Sequence, residues 1–289
     1  METYSIAQVE ALTGIHAPTL RMWEKRYGFV IPDRTDTKIR LYSDRQLKTL
    51  LNVSVLLDAG YKISKLAKMP DEHLQNASLD VQTTTSSSNA DVMALVISML
   101  EFDEVRFEQI FQISVIRRGL LDTIVSVIYP FLHQVGVLWG TDRVMPAQEH
   151  FISNLVRRKL FTAIDGIAAP ANKAKRAVLF LPEHEEHEIA LLLAYFILKN
   201  AGWQTFYLGT NVPLENILTL EERVKPDVLV TFLVTPELTP QKKFMEISSQ
   251  VKTHLLVSGN PANLPNGDIP GNYTRLNNPN DLLTFIRNQ

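Results

Sequence analysis

The segment Glu183-His184-Glu185-Glu186-His187-Glu188 concentrates two imidazoles and four carboxylates in six consecutive residues. Side chains of these types either move protons or hold metal ions. The chain has no cysteine, which excludes disulfides, thiolate metal sites and cysteine nucleophiles and leaves nitrogen and oxygen as the only strong donors. His184 and His187 stand three residues apart, whereas the zinc-binding H-E-x-x-H helix needs a spacing of four to put both rings on one face. Glu188 follows too closely to restore that pattern, so a zinc or iron site built from this run alone is the weaker reading. No Ser-His-Asp order and no glycine-rich phosphate loop stands out elsewhere.

A second concentration is cationic. Arg21, Lys25 and Arg26 recur within one predicted helix, and Arg34, Lys38 and Arg40 follow in a short extended region. Residues 1–70 hold eleven Lys or Arg against seven Asp or Glu, a balance of +4, and the remainder therefore carries −6 of a net charge of −2. A positive head on an acidic body is the charge division of a domain that neutralises phosphates.

The elements that must position these side chains are legible in the spacing. Ser5 and Gln8 form a capping box, and Ile6, Val9 and Leu12 give the helix behind it an apolar face. Thr13-Gly14 ends that helix, and Ala17-Pro18 opens a second, where a missing first-turn amide costs nothing. Leu20 and Trp23 point inward from this helix, which leaves Thr19, Arg21, Lys25 and Arg26 for DNA. FVIPDRTDTKIRLYS reads as two short extended runs around a polar tip, a wing. Ser43 and Gln46 form another capping box, and the helix they open runs to Gly60. From Pro70 the sequence turns polar and rich in Ser and Thr, and residues 73–90 are expected to be a linker.

Residues 91–170 carry apolar spacings of three and four in four blocks, which predicts a four-helix bundle. Residues 175–289 alternate short apolar runs with helical stretches, beginning AVLFL and ending at HLLVSG, and so predict a doubly wound parallel sheet. At 289 residues, 45% hydrophobic and 21% charged, the chain suits two or three globular domains. No run approaches the roughly 18 apolar residues of a membrane span, and METYSIAQ lacks the pattern of a signal peptide, so a cytoplasmic, membrane-free protein is expected.

Arg21-Met22-Trp23-Glu24-Lys25-Arg26-Tyr27-Gly28-Phe29, then Arg34-Thr35 and Arg40-Leu41-Tyr42-Ser43, resembles the MerR family of transcriptional regulators. The resemblance covers about residues 1–72 and implies a winged-helix head that binds double-stranded operator DNA through Thr19, Arg21, Lys25, Arg26, Arg34, Lys38, Arg40 and Tyr42. Where family wings commonly carry glycines at the hairpin tip, this chain has Thr37 and Lys38. Further on, Trp139 followed after nine residues by Glu149-His150 resembles the helical cap of the MerR-type cobalamin photoreceptors of the CarH and LitR group. That implies Trp139, Glu149 and His150 about the upper face of a corrin, with adenosylcobalamin as its form.

Glu185-x-His187-x-x-Ala190 resembles the cobalamin motif D/E-x-H-x-x-G, with alanine in place of glycine. The resemblance implies that His187 ligates the cobalt from below while Glu185 holds its other ring nitrogen and raises its basicity. Thr231-Phe232-Leu233 resembles the S-x-L element, and Ser258-Gly259 stands where relatives carry Gly-Gly; both elements line the slot for the nucleotide tail in the family. The implied architecture is a MerR-like helix-turn-helix head, a four-helix cap and a flavodoxin-type Rossmann-like domain. The implied function is a non-enzymatic regulator, a repressor, whose homo-oligomeric state, dimer or tetramer, follows adenosylcobalamin and light. The photoreceptors place a cobalt-ligating histidine directly after the cap tryptophan, and here that residue is Gly140. The alternatives are a cobalamin-free sensory or oligomerisation module behind the same head, and a component of a methyl-transfer system.

Overall fold

The structure is a computed structural model that describes residues 3–84, 88–139, 144–235, 246–259 and 272–289. It divides into two compact units, Met1–Ile152 and Ser153–Gln289.

The first unit begins with a three-stranded antiparallel sheet, β1 (Thr3–Ser5), β2 (Asp33–Arg34) and β3 (Arg40–Ser43), in the order β1-β3-β2. The N-terminal strand was not foreseen; Thr3 to Ser5 register against Ser43 to Leu41, burying Tyr4 opposite Tyr42. Between β1 and β2 lie α1 (Ile6–Thr13) and α2 (Ala17–Tyr27), and Gly14 and Gly28 end them in left-handed backbone. Both predicted capping boxes form: the Ser5 side chain accepts the Gln8 amide while the Gln8 side chain accepts the Ser5 amide, and Ser43 and Gln46 repeat this before α3 (Asp44–Asp58). At the wing tip the glycine role falls to Lys38, whose φ is +63° and whose amide donates to the Thr35 carbonyl.

The expected linker is a helix for most of its length. After the short α4 (Ile63–Leu66), α5 (Asp71–Thr84) packs along α3. Leu74, Ser78 and Val81, spaced four and three apart, form its buried stripe, and Asp71 accepts from Arg45 Nε (2.9 Å) and Thr49 Oγ1 (3.3 Å) on α3. The polar composition concealed this, because one narrow apolar stripe suffices when a partner helix is waiting. α3 is consequently covered on every side: each residue from Thr49 to Leu56 is buried, between α1, α5 and α6 (Ser88–Glu101). Head and first bundle helix therefore share one core.

The four bundle helices form as expected. α6 and α7 (Glu104–Arg118) are joined by the buried Asp91, which accepts from Ser114 Oγ and Arg118 Nη2 at 2.7 Å each. The third helical stretch contains α8 (Leu120–Thr123), a π turn (Ile124–Ile128) and α9 (Tyr129–Trp139). Pro130 has no amide to donate and its ring crowds the preceding turn, and here the Tyr129 amide reaches five residues back to Ile124. α10 (Pro146–Asp165) is the fourth, and the boundary between the two units falls within it.

Among its described residues the second unit holds five parallel strands, β4 (Arg176–Pro182), β5 (Gln204–Val212), β6 (Val228–Leu233), β7 (His254–Gly259) and β8 (Tyr273–Arg275). Their order is β5-β4-β6-β7-β8, the flavodoxin-type order expected from the sequence. α11 (Glu188–Asn200) and the C-terminal helix Pro279–Arg287 pack together on one face. On the other, α12 (Leu214–Val224) and the helical residues 246–250 place Ile217 and Ile247 over Val178, Phe180, Leu229, Leu233, Leu255 and Val257. The chain leaves β4 toward one edge and returns across it to β6, so the loops after β4 and β6 diverge and open a crevice at their carboxyl ends.

Replacing Leu74 with Ala is expected to destabilise the first unit by about 2–5 kcal/mol, as for other fully buried leucines. Urea denaturation followed by circular dichroism reads this directly. An unshifted midpoint would return residues 73–84 to the status of a linker.

Candidate functional site

The crevice after β4 and β6 is where the singled-out carboxylate and imidazole meet. β4 ends at Pro182, whose carbonyl accepts the Glu185 amide. His184 takes a left-handed φ of +67°, held by its amide donating to Asn211 Oδ1 at 2.7 Å. That turn sends Glu185 inward, where it is 1% exposed, and leaves the His187 side chain 58% exposed at the start of α11.

Five donors converge on the Glu185 carboxylate. Oε1 accepts from His187 Nδ1 (2.7 Å), the His187 amide (3.1 Å) and Thr235 Oγ1 (3.0 Å). Oε2 accepts the amides of Val234 (2.8 Å) and Thr235 (2.9 Å), just past β6. Burial alone would raise this carboxyl, yet the hydrogen bonds from His187, Thr235 and Val234 outweigh it and bring its pKa down to about 2. An ionised carboxylate only accepts, so Nδ1 of His187 carries a proton and the ring's lone pair lies on Nε2. The chemical product is an exposed imidazole of fixed tautomer, the form in which histidine binds a metal. Among the described residues no group of three or more His, Asp or Glu converges to hold an ion.

The remaining predicted residues of this unit are arranged around the strand ends. Thr231 on β6 is fully buried, and its hydroxyl has no hydrogen-bond partner. Such a group costs stability unless something else satisfies it. Gly259 at the end of β7 has φ +146°, and a Cβ there would collide with the Leu233 carbonyl, so this glycine is obligatory where the backbones of β6 and β7 close together. Leu233 is buried beside it. The Ser258 hydroxyl, in the place of a family glycine, is turned to the Leu276 carbonyl at 2.6 Å. Ala190 is half-buried in the first turn of α11. An unsatisfied buried hydroxyl, a glycine-only cradle and a carboxylate-held histidine at one end of one sheet fit a corrinoid with a nucleotide tail.

In the first unit, Trp139 is the last residue of α9 and Gly140 lies outside the described residues. Glu149 and His150 sit in the first turns of α10, with Glu149 Oε2 2.8 Å from His150 Nδ1.

Thr235, Val234 and Asn211 were not singled out from the sequence. The strand order carried their signal, because a switch point forces the loops after its two central strands to face one crevice. Glu188 was weighed only as a metal ligand; its carboxylate accepts from Tyr207 Oη at 2.8 Å and lies 3.2 Å from Arg157 Nε, anchoring the first turn of α11 directly after His187.

On the head, α2 presents Arg21, Lys25 and Arg26 to solvent, with Lys38 exposed at the wing tip and Thr19 half-buried. Arg34 and Arg40 are engaged instead with Glu24: Arg34 Nη2 meets Oε1 at 2.7 Å and Arg40 Nε meets Oε2 at 2.6 Å. Burial pushes the Glu24 carboxyl up and the two guanidinium groups pull it down further, leaving it below the ordinary range. These two arginines therefore pin the wing to the helix. Tyr42, expected to touch DNA, is buried at 1% exposure, because its alternation in β3 points it into the core with Tyr4.

Residues 4–72 match the family model described as MerR HTH family regulatory protein, and residues 93–163 match that of the B12 binding domain. The chain is homologous to the HTH-type transcriptional repressor CarH of Myxococcus xanthus, 29% identical over 78% of this chain and 77% of the repressor. The repressor CarA of the same organism is 28% identical over 80% of this chain and 77% of its own length. A monomethylamine corrinoid protein of Methanosarcina barkeri superposes with a TM-score of 0.51 at 18% identity, covering 68% of this chain and 96% of its own, a likeness of fold.

Glu185→Ala would leave the Val234, Thr235 and His187 amides without their acceptor, at about 1–3 kcal/mol for each buried donor that water cannot reach. Glu186→Ala, on an exposed neighbour, is expected to change stability by no more than about 0.5 kcal/mol. Chemical denaturation of both variants checks the contrast; equal effects would dissolve the assigned network.

Proposed function

We infer that this homologue of the CarH and CarA repressors is a DNA-binding transcriptional regulator whose operator affinity and homo-oligomeric state are set by cobalamin. The observation that carries the reading is the buried Glu185 that fixes the tautomer of exposed His187, on a chain that begins with a helix-turn-helix head. His187 would hold the cobalt through Nε2, with its ring oriented by Glu185 and Thr235, and Thr231 and Gly259 would shape the slot for a nucleotide tail. Trp139, Glu149 and His150 are assigned to the upper ligand on their spacing alone. When bound, cobalamin, adenosylcobalamin in our reading, would supply a cobalt that a protein imidazole can ligate.

The head binds double-stranded operator DNA, with Arg21, Lys25, Arg26 and Lys38 neutralising phosphates and Thr19 within reach of the groove. Arg34 and Arg40 serve this binding by keeping the wing in place. Regulation is then a population shift: an occupied pocket favours one arrangement of the bundle, and differential affinity for the two arrangements is all the ligand needs. Gly140 in place of the photoreceptors' histidine removes one side chain from the light response of those relatives, so ligand occupancy is the primary signal we assign. The head argues for a non-enzymatic regulator acting in the cytoplasm as a repressor, as the two homologues are named.

Titrating the apoprotein with adenosylcobalamin in the dark, read by visible absorption, tests the assignment. Wild type should take up one equivalent, His187→Ala should bind at least about 10-fold more weakly, and Thr235→Val, which removes one hydroxyl from Glu185, should sit between them. A wild-type chain that takes up no cobalamin contradicts the reading.

A further inference from the structure

Among the described residues, three exposed large apolar side chains, Met22, Ile31 and Ile39, fall within eighteen residues of α2 and the wing. Met22 is the one on α2. At 100° per residue the buried pair Leu20 and Trp23 defines the inward side of this helix, and Pro18, Arg21, Met22, Lys25 and Arg26 occupy the outward half, all exposed. Lys25 and Arg26 lie one turn beyond Met22 on the same face. The Met22 side chain is thus 49% exposed among three cations, where it contributes little to the core of the head.

The charges around it have an evident task. With Arg34 and Arg40 engaged by Glu24, Arg21, Lys25 and Arg26 remain to meet phosphates from this helix. Phosphate contacts place a protein on a duplex without reading its sequence. Met22 differs in kind: it is a long, flexible, polarisable side chain with no strong hydrogen-bonding group, set at the middle of α2, the helix assigned above to the groove. The major groove offers one feature that such a side chain recognises, the C5 methyl of thymine.

We propose that Met22 is a specificity-determining residue that reads a thymine methyl group in each half-site of the operator. The inference rests on the DNA-binding reading above. Its energetic basis is the removal of one methyl group and the methionine thioether from water, which corresponds to about a three- to five-fold preference for thymine over a base lacking the methyl. The neighbouring cations hold the helix at the depth where this contact forms, and they do so on any sequence.

The test uses the full-length protein. Operators are first selected from a randomised duplex pool, and each thymine of the selected site is then replaced in turn by deoxyuridine, which deletes only the methyl. Wild type should lose about three- to five-fold in affinity at one thymine per half-site. Met22→Ala should bind the thymine operator more weakly by a similar factor and become indifferent to uracil at that position, with an unchanged salt dependence. Met22→Leu should retain the discrimination, since it keeps an apolar side chain of similar reach. The proposal is overturned if wild type is indifferent to uracil at every position, or if Met22→Ala keeps the wild-type sensitivity. A wild-type protein that enriches no sequence and binds no duplex overturns the DNA-binding reading and this assignment with it, and is distinguishable from both.

Discussion

A carboxylate shut away from water stays charged only if the protein replaces its hydration, and the second unit is organised around one such group. Glu185 is buried, and its ionised form is kept by two amides from the end of β6, two donors from His187 and one hydroxyl. No single element supplies these. The turn after β4 brings the carboxylate, the loop after β6 brings Val234 and Thr235, and α11 brings the imidazole. The parallel order β5-β4-β6 is what makes the two loops neighbours, so the strand topology and the histidine's tautomer are one constraint seen at two scales.

The head repeats the device with the charges reversed in purpose. Glu24 on α2 accepts from Arg34 and Arg40 across the wing, and a half-buried carboxylate thereby fixes the angle between α2 and the hairpin. Because α3 is buried on all sides between the head, α5 and α6, the head is continuous with the first helices of the bundle. Lys48 on α3 lies 3.1 Å from Asp44 and 3.5 Å from Glu101 at the end of α6, and Asn89 on α6 donates to Asp58 at 2.8 Å. α6 thus packs directly on α3, which in turn packs on α1 of the helix-turn-helix.

Much of this was legible in the residues. Ser5 with Gln8 and Ser43 with Gln46 announced two helix starts because a capping box is local chemistry. The alternation of AVLFL, TFYLG, DVLVTFLV and HLLVSG announced the sheet, and Glu185-x-His187 announced the centre of the site. What escaped had non-local causes. Helix α5 hid behind polar composition because a stripe as narrow as Leu74, Ser78 and Val81 is enough to seat it against α3. Tyr42 looked like a DNA contact until the unforeseen strand β1 covered it. Arg34 and Arg40 looked free because Glu24 lies 10 and 16 residues away in sequence, and Thr235 was invisible because its link to Glu185 spans 50.

The central claim is that one chain couples a histidine-held cobalamin to operator DNA, and coupled sites obey reciprocity: whatever factor cobalamin applies to DNA affinity, DNA must apply to cobalamin affinity. Measuring both affinities in the dark, for wild type and for His187→Ala, tests this most directly. The account predicts equal coupling factors of about 5–150-fold in wild type, collapsing toward one when His187 is removed while the DNA affinity of the cobalamin-free protein is unchanged. Operator affinity that is the same with and without cobalamin in wild type, in a protein that demonstrably binds both, would contradict it.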